Sequence, residues 1–368
     1  MVKDSKIDKP LLAVIGLLTF LGLIMVYSTT MILAKEKYGD SFFYLKKHLL
    51  FLGIGLIFFL IIALLKYPLY LNQKFVFITF AIITAALVLV FFSGKMNNSY
   101  RWIRFMGFSA QPSEFARIAV VLYLSYILGK KLDDVNNIRK LSFYLIPFFI
   151  VEILILKEPD IGNFLLIFMM LIVLLFVSGL KIRYFFSIAV FMAPVLYLVV
   201  KMNPEKMKRV LAFLHPEDYI STFSFQATQS IYAIGSGGIF GQGLGNSTQK
   251  LYFLPYPYSD FIFSIIGEEL GLLGALSVVS LFFIFLLRGL NIAKLSGNKQ
   301  TYLLVVGLTF LVVMQAMIHI SVALGLFPTK GITLPFISNG GSSLISSLIT
   351  AGIIVNVSRH RRTVFVND

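Results

Sequence analysis

Apolar residues run through this chain in long, nearly unbroken blocks separated by short polar punctuation. A membrane-crossing helix needs about 20 mostly apolar residues. Ten blocks come near that length: 11–34, 49–65, 73–93, 113–129, 142–156, 161–179, 184–201, 260–287, 301–326 and 341–358. The first is too long for the core of a signal peptide and has no small-residue cleavage site after it, so it reads as a retained helix. The fifth and sixth are divided only by Lys157-Glu158-Pro159-Asp160, where Pro159 and Gly162 favour a break. Segment 327–340, with Pro328 and Pro335, reads as irregular or re-entrant backbone. The pattern predicts an all-α integral membrane protein with about ten transmembrane helices, one polytopic domain over 1–368. A long extracytoplasmic loop, about 202–259, falls between the seventh and eighth spans. No repeat, inverted symmetry or low-complexity segment is visible.

Composition agrees with the pattern and narrows the chemistry. The 368 residues are 58% apolar and 13% charged, with mean hydropathy +0.87. Soluble domains run roughly 45–50% apolar and about 25% charged. A soluble enzyme, a disordered chain and a disulfide scaffold are all excluded. With no cysteine there is no thiolate nucleophile and no Cys-based metal site. His48, His215, His319 and His360 are too scattered to suggest a His-rich metal site. The net charge of +15 carries no basic-aromatic module, so it points to anionic lipid beside the spans and not to nucleic acid.

If the N-terminus is cytoplasmic, 17 of the 32 basic residues fall in the inner segments and 15 on the other side. Four of those 15 lie in the long loop, and long loops weigh less in orientation. Only Asp4, Asp8, Asp133, Asp134 and Asp368 of the 17 acids are then inside. The outer face gathers carboxylates and strong bases together.

Four polar stretches on that face could carry chemistry. The first runs from Asn97-Asn98-Ser99-Tyr100-Arg101 to Gln111-Pro112-Ser113-Glu114-Phe115-Ala116-Arg117. Ser113 reads as a helix cap, and Glu114 and Arg117 share a helix face at i and i+3. They form either a local salt bridge or, with Arg101, part of a site. The second, Glu158-Pro159-Asp160-Ile161-Gly162, reads as a helix break with acids near a helix start. The third is the loop with Lys206-Met207-Lys208-Arg209 and the glycine-rich 235–246, which lacks the spacing of a nucleotide P-loop. Its glycines instead suit tight turns or close backbone approach. The loop ends at Asp260, followed by Glu268 and Glu269, three carboxylates entering one span and more than capping requires. The fourth stretch holds Lys330, an interface anchor or an anion ligand.

In order and spacing, these stretches resemble the SEDS family of peptidoglycan glycosyltransferases, which includes FtsW, RodA and SpoVE. The resemblance rests on Gln111-Pro112-Ser113-Glu114, on 235–246, on 260–270 and on 328–343. Segment 243–251 and Thr329-Lys330-Gly331 look like the FtsW branch. The resemblance implies a polymerase of lipid II acting on the outer face of the bacterial cytoplasmic membrane, in cell division or, alternatively, in elongation. It implies a catalytic Asp at Asp260 and an essential acid at Glu114. It implies partnership with a class B penicillin-binding protein transpeptidase, with membrane lipids and with other divisome or elongasome membrane proteins. It names no certain cofactor and leaves room for a divalent cation, Mg²⁺ or Mn²⁺. The chain departs from the family at Arg117, where Lys is usual, and at Pro255-Tyr256-Pro257-Tyr258-Ser259, where Pro-Glu-x-His-Thr is common. His319 stands for a common Asn, and Asn339 for the Tyr before Gly-Gly.

The implied chemistry is attack by a sugar hydroxyl on an anomeric carbon with a lipid pyrophosphate leaving. A carboxylate can take the hydroxyl proton, and cations can hold the leaving group. Asp260 is the expected base. Arg101, Arg117, Arg209 and Lys330 are the candidate cations, and Glu114 completes the substrate-binding set. Two rival classes remain at this level. A lipid-precursor transporter would place ionisable groups at mid-membrane, where Glu152 is the best example. A non-catalytic scaffold would follow if the altered residues before Asp260 marked lost activity.

Overall fold

The computed structural model describes residues 7–65, 69–94, 100–105, 108–132, 134–215, 224–251 and 253–360. Of the residues singled out above, Asp4, Asn97, Asn98, Ser99, Asp133 and Asp368 lie outside the described residues.

Each apolar block forms a helix: α1 Lys9–Tyr38, α2 Phe43–Leu64, α3 Gln73–Val90, α4 Pro112–Tyr126, α5 Ile138–Lys157, α6 Ile161–Ser178 and α7 Ile182–Lys201, then α10 Ile262–Lys294, α11 Lys299–Ala323 and α12 Gly341–Arg359. Eight of these ten are long and apolar enough to cross a membrane. The regular part of α4 is shorter, 15 residues, before it widens into a π-helical turn, Ile127–Lys131. Helix α5 carries Arg139, Lys140, Glu152 and Lys157.

Local sequence sets the ends. The Leu11 amide donates to Asp8 Oδ1 (3.0 Å) at the start of α1, and Gly39 closes that helix in a left-handed conformation. The amide of Asn163 donates to Asp160 Oδ1 (3.2 Å) at the start of α6, after a break between α5 and α6 where the sequence predicts one.

Three local expectations change. The stretch 202–259 is not a plain loop: it contains α8 Pro204–Leu214 and α9 Phe225–Ser236. Between α3 and α4 stands a short antiparallel hairpin, β1 Ile103–Phe105 with β2 Phe108–Ala110, in an otherwise helical chain. Ser113 does not cap α4. Gln111 occupies the cap position, and Ser113 lies buried inside the first turn, bonded to Asp160.

Helices α4, α11 and α12 form the interior. Helix α12 packs on α2, and α11 on α10, α6 and α4. One continuous apolar core runs from Leu11 to Val357. Helix α7 buries none of its apolar stretch and stands at the edge of the bundle. Helix α10 is broken at Gly271 (φ 68°, ψ −165°). There the glycine-rich turn supplies the backbone partners that the helix loses. The amides of Gln242 and Gly243 donate to the carbonyls of Glu268 (2.9 Å) and Glu269 (3.0 Å), and the amide of Leu272 donates to Gly238 O (2.9 Å). A Cβ at Gly237, Gly241 or Gly271 would run into the backbone of the facing segment. Close backbone approach is therefore what this glycine run provides.

Candidate active site

Alternation of the helices brings the four polar stretches to one end of the bundle. Their hydrogen bonds join them. Arg101 Nε donates to Glu158 O (3.2 Å) and its Nη2 to Pro159 O (2.5 Å). The Gln111 amide donates to Ser342 Oγ (3.0 Å), and Arg209 Nη1 donates to Thr329 O (3.3 Å). The amide of Asn339 donates to Tyr258 O (2.9 Å).

These contacts surround a cavity of about 260 Å³ lined by Arg101, Asp160, Lys206, Arg209, Lys330 and Gly331, among others. Four cations from three separate segments thus face one space. Asp260 adjoins it through Gly331: a Cβ added to that glycine would sit 3.2 Å from Asp260 Oδ2. Gly331 lines the cavity and meets Asp260, which is not itself in the lining.

The two carboxylates here are not equivalent. Asp160 Oδ2 accepts from Gln111 Nε2 (3.0 Å), Asn163 Nδ2 (2.7 Å) and Ser113 Oγ (3.3 Å). Burial alone would raise its pKa, but Arg101, the Asn163 hydrogen bonds and Arg117 outweigh burial and hold it below the ordinary carboxylate value. Asp260 is half-buried. Burial pushes its pKa up to about 6, against the lowering influence of the Ser259 side chain, Arg209 and Arg101. The surroundings of Asp160 thus favour its charged form, whereas those of Asp260 make it the more basic carboxylate. Asp260 also precedes its helix and does not cap it, since α10 begins at Ile262 with Phe261 in the cap position.

The cations are tuned as well. Lys330 is lowered to about 8 by burial first, then by Lys206 nearby. Lys206 is lowered to about 8 by burial, then by Arg101. Lys206 is absent from the sequence-derived candidates. Its tetrapeptide with Arg209 was visible, but not that α8 turns Lys206 toward the same cavity.

Glu114 and Arg117 do not line this cavity. They form the expected i,i+3 ion pair, buried inside the bundle. Arg117 Nη1 also donates to Gln315 Oε1 (2.6 Å), and Gln315 Nε2 donates to Thr333 O (2.9 Å). One turn further along α11, His319 Nδ1 bonds Ile332 O (2.7 Å). Through Gln315 the pair is thus linked by hydrogen bonds to Thr333, two residues beyond Gly331. Glu268 and Glu269 also fall away from Asp260. Glu268 accepts from Ser247 Oγ (2.5 Å), Thr248 N (2.9 Å) and Thr248 Oγ1 (3.0 Å). Glu269 accepts from Lys250 Nζ (2.7 Å) and Ser28 Oγ (2.6 Å). Both acids hold the loop to α10. Glu152 is buried in α5 with neither carboxylate oxygen hydrogen-bonded. Among the described residues no three carboxylate or imidazole groups converge as a metal cage. A divalent ion here would rely on substrate phosphate oxygens for most of its ligands.

The profile of the FtsW/RodA/SpoVE family, described as cell cycle protein, matches residues 9–363. The chain is 38% identical to the probable peptidoglycan glycosyltransferase FtsW of Trichlorobacter lovleyi, over 96% of this chain and 93% of that protein. It is 37% identical to stage V sporulation protein E of Bacillus subtilis, over 98% and 99%. In fold it matches a chain of a peptidoglycan synthase complex studied for coordination of polymerization and crosslinking, with TM-score 0.80, 24% identity and coverage of 97% and 99%. The rod shape determining protein RodA of Thermus thermophilus matches with TM-score 0.69 and 24% identity, over 96% and 97%. The chain is an integral membrane protein of the FtsW/RodA/SpoVE family.

Proposed function

We propose that this chain is a peptidoglycan glycosyltransferase that polymerises lipid II at the outer face of the bacterial cytoplasmic membrane, with both termini cytoplasmic. The observation that carries the reading is Asp260, a carboxylate with pKa near 6, beside a cavity facing Arg101, Lys206, Arg209 and Lys330. The acceptor hydroxyl oxygen attacks the donor's anomeric carbon while its proton passes to Asp260. The bond from that carbon to the pyrophosphate oxygen breaks, and the leaving group departs with the electron pair into the cation cluster. A base with pKa near the working pH is well matched to such a transfer, and preorganised cations stabilise charge as it develops. One displacement inverts the anomeric centre and needs no covalent intermediate. Glu114 and Arg117 position the Lys330–Gly331 segment.

Relatives named FtsW support a role in division, with elongation as the alternative. The matching chain from a synthase complex supports a class B penicillin-binding protein as partner, which would supply crosslinking. The decisive experiment is Asp260→Asn assayed with labelled lipid II in detergent. Loss of about 10²–10⁴-fold in polymerisation is expected for the proton-transfer contribution, with folding and lipid II binding retained. Near wild-type polymerisation would remove Asp260 from the chemistry. A flippase would show no polymerisation even in the wild-type protein.

A further inference from the structure

Two cavities adjoin the turn that ends at Asp260. One is the cation-lined cavity beyond Gly331. The other, about 370 Å³, lies between α1 and segment 250–258, with Ser28, Thr29, Lys250, Tyr256 and Tyr258 in its lining. That volume falls within the roughly 300–1,000 Å³ of small-molecule sites.

The polar part of this second cavity is fixed from behind. Lys250 Nζ donates to Glu269 Oε1 (2.7 Å), Gly245 O (2.7 Å) and Ser28 Oγ (3.1 Å), and the Lys250–Glu269 pair is buried. Its wall is aromatic. Tyr258 stacks on Tyr44 at 5.8 Å between ring centres and meets Tyr256 edge-on at 6.5 Å. Tyr44 in turn meets Tyr38 at 5.8 Å, and Tyr38 stacks on Phe43 at 3.9 Å. A line of rings therefore leads away from Asp260 across the ends of α1 and α2. Tyr256 has φ 54°, a left-handed conformation that is rare for a bulky residue and collects at ligand clamps. It is 54% exposed, so core packing does not explain why a large ring is kept there. The Tyr256 carbonyl accepts from the amides of Ser259 (3.2 Å) and Asp260 (3.1 Å), so the same turn presents this ring and the catalytic carboxylate.

We infer that this second cavity binds the acceptor saccharide, the sugar whose hydroxyl Asp260 deprotonates. The inference rests on the transferase reading above. A transfer brings two substrates to the base. The donor, which reacts at the carbon that carries its pyrophosphate, matches the cation cavity. The reactive end of the other is a neutral sugar, whose apolar C–H faces suit the aromatic rings of Tyr256 and Tyr258 in the lining. Rings that merely anchor a helix at the membrane surface need neither a concave cavity nor a strained turn shared with the base.

The test uses the full-length protein in lipid nanodiscs and a soluble tetrasaccharide of alternating N-acetylglucosamine and N-acetylmuramic acid, free of lipid and pyrophosphate. Binding is followed by saturation-transfer NMR. The wild-type protein and Asp260→Asn are expected to bind it equally. Tyr256→Ala should weaken binding about tenfold, the equivalent of one aromatic contact. Tyr256→Phe, which keeps the ring, should restore most of it, and Arg209→Gln should leave it unchanged. Tyr256 is exposed, so these variants keep the fold. Unchanged binding in Tyr256→Ala overturns the inference and leaves the ring as an interface anchor. A wild-type protein that does not bind, or binding lost equally in Arg209→Gln, also overturns it. Asp260→Asn that binds the tetrasaccharide yet still polymerises would sink the general-base reading and leave this site standing.

Discussion

Asp160 and Asp260 carry the same functional group at one end of the molecule, and their surroundings assign them opposite tasks. Three donors on Asp160 Oδ2, with Arg101 nearby, help hold its pKa below the ordinary carboxylate value, while burial pushes that of Asp260 up to about 6. The sign of the pH dependence follows. Only deprotonated Asp260 can act as a base, so kcat/KM should fall as pH drops through about 6. Lys206 and Lys330 must be protonated to hold pyrophosphate, so the same quantity should fall again above about 8. A bell-shaped profile of kcat/KM is expected, since that ratio reports the free enzyme. The variant carrying Lys206→Arg and Lys330→Arg should move the alkaline limb upward, because Arg stays charged. An alkaline limb that does not move would separate these lysines from the leaving group. The buried Glu114–Arg117 pair calls for a different measurement. Glu114→Ala strands a buried guanidinium and should lower stability by about 3–5 kcal/mol. Adding Arg117→Leu should recover part of that loss in a thermal melt. Arg117→Lys should leave the KM for lipid II unchanged, as the side chain lies outside the cavity. A raised KM at an unchanged melting temperature would place Arg117 in contact with substrate.

At the scale of elements, α10 and the glycine-rich turn form one unit. The break at Gly271 frees backbone groups, and 237–243 pairs with them. Gly271→Ala and Gly241→Ala should abolish folded protein in size-exclusion chromatography. Each combines a positive φ with a Cβ driven into backbone. Gly235→Ala should be tolerated or raise the melting temperature, because Gly235 lies inside α9 with open space where a Cβ would go. Equal effects at 235 and 241 would argue against backbone approach as the reason for the glycines. The helices themselves were legible in the sequence, because blocks of about 20 apolar residues leave little other choice. The break inside α10 was not, since Gly271 sits in an apolar run with no proline to mark it. Nor was the fate of Glu268 and Glu269 legible. Three acids near one helix start look like a single cluster in sequence, but the helix turns the latter two toward Ser28 and segment 247–250.

For the whole molecule, the alternation of ten helices decides which residues can meet. It places Arg101, Asp160, Lys206, Asp260 and Lys330 at one end, although they are spread over more than half the chain. At the other end Arg288 pairs with Asp8 and Asn136 meets the 179–181 turn. Sequence motifs picked out most members of the first group. They could not tell a cavity wall from a buried support, which is why Glu114 and Arg117 were counted with the substrate ligands. The two ends also differ in charge. Lys9, Lys74, Lys130, Lys131, Arg139, Lys140, Lys181, Arg183, Lys294 and Lys299 lie at or near the Asp8 end, with only Asp8 and Asp134 as acids among the described residues there. Basic residues in short segments stay on the cytoplasmic side, so the cavity end should face outward. The chain has no cysteine to interfere with a labelling test. Tyr256→Cys and Arg209→Cys lie at exposed positions of the cavity end, and Lys140→Cys and Lys299→Cys at exposed positions of the other. In intact spheroplasts a membrane-impermeant maleimide should modify the first two, and the second two only after permeabilisation. The reverse result would put Asp260 in the cytoplasm, where a polymer of the cell wall could not be assembled on it, and the proposed chemistry would have to be abandoned along with the orientation.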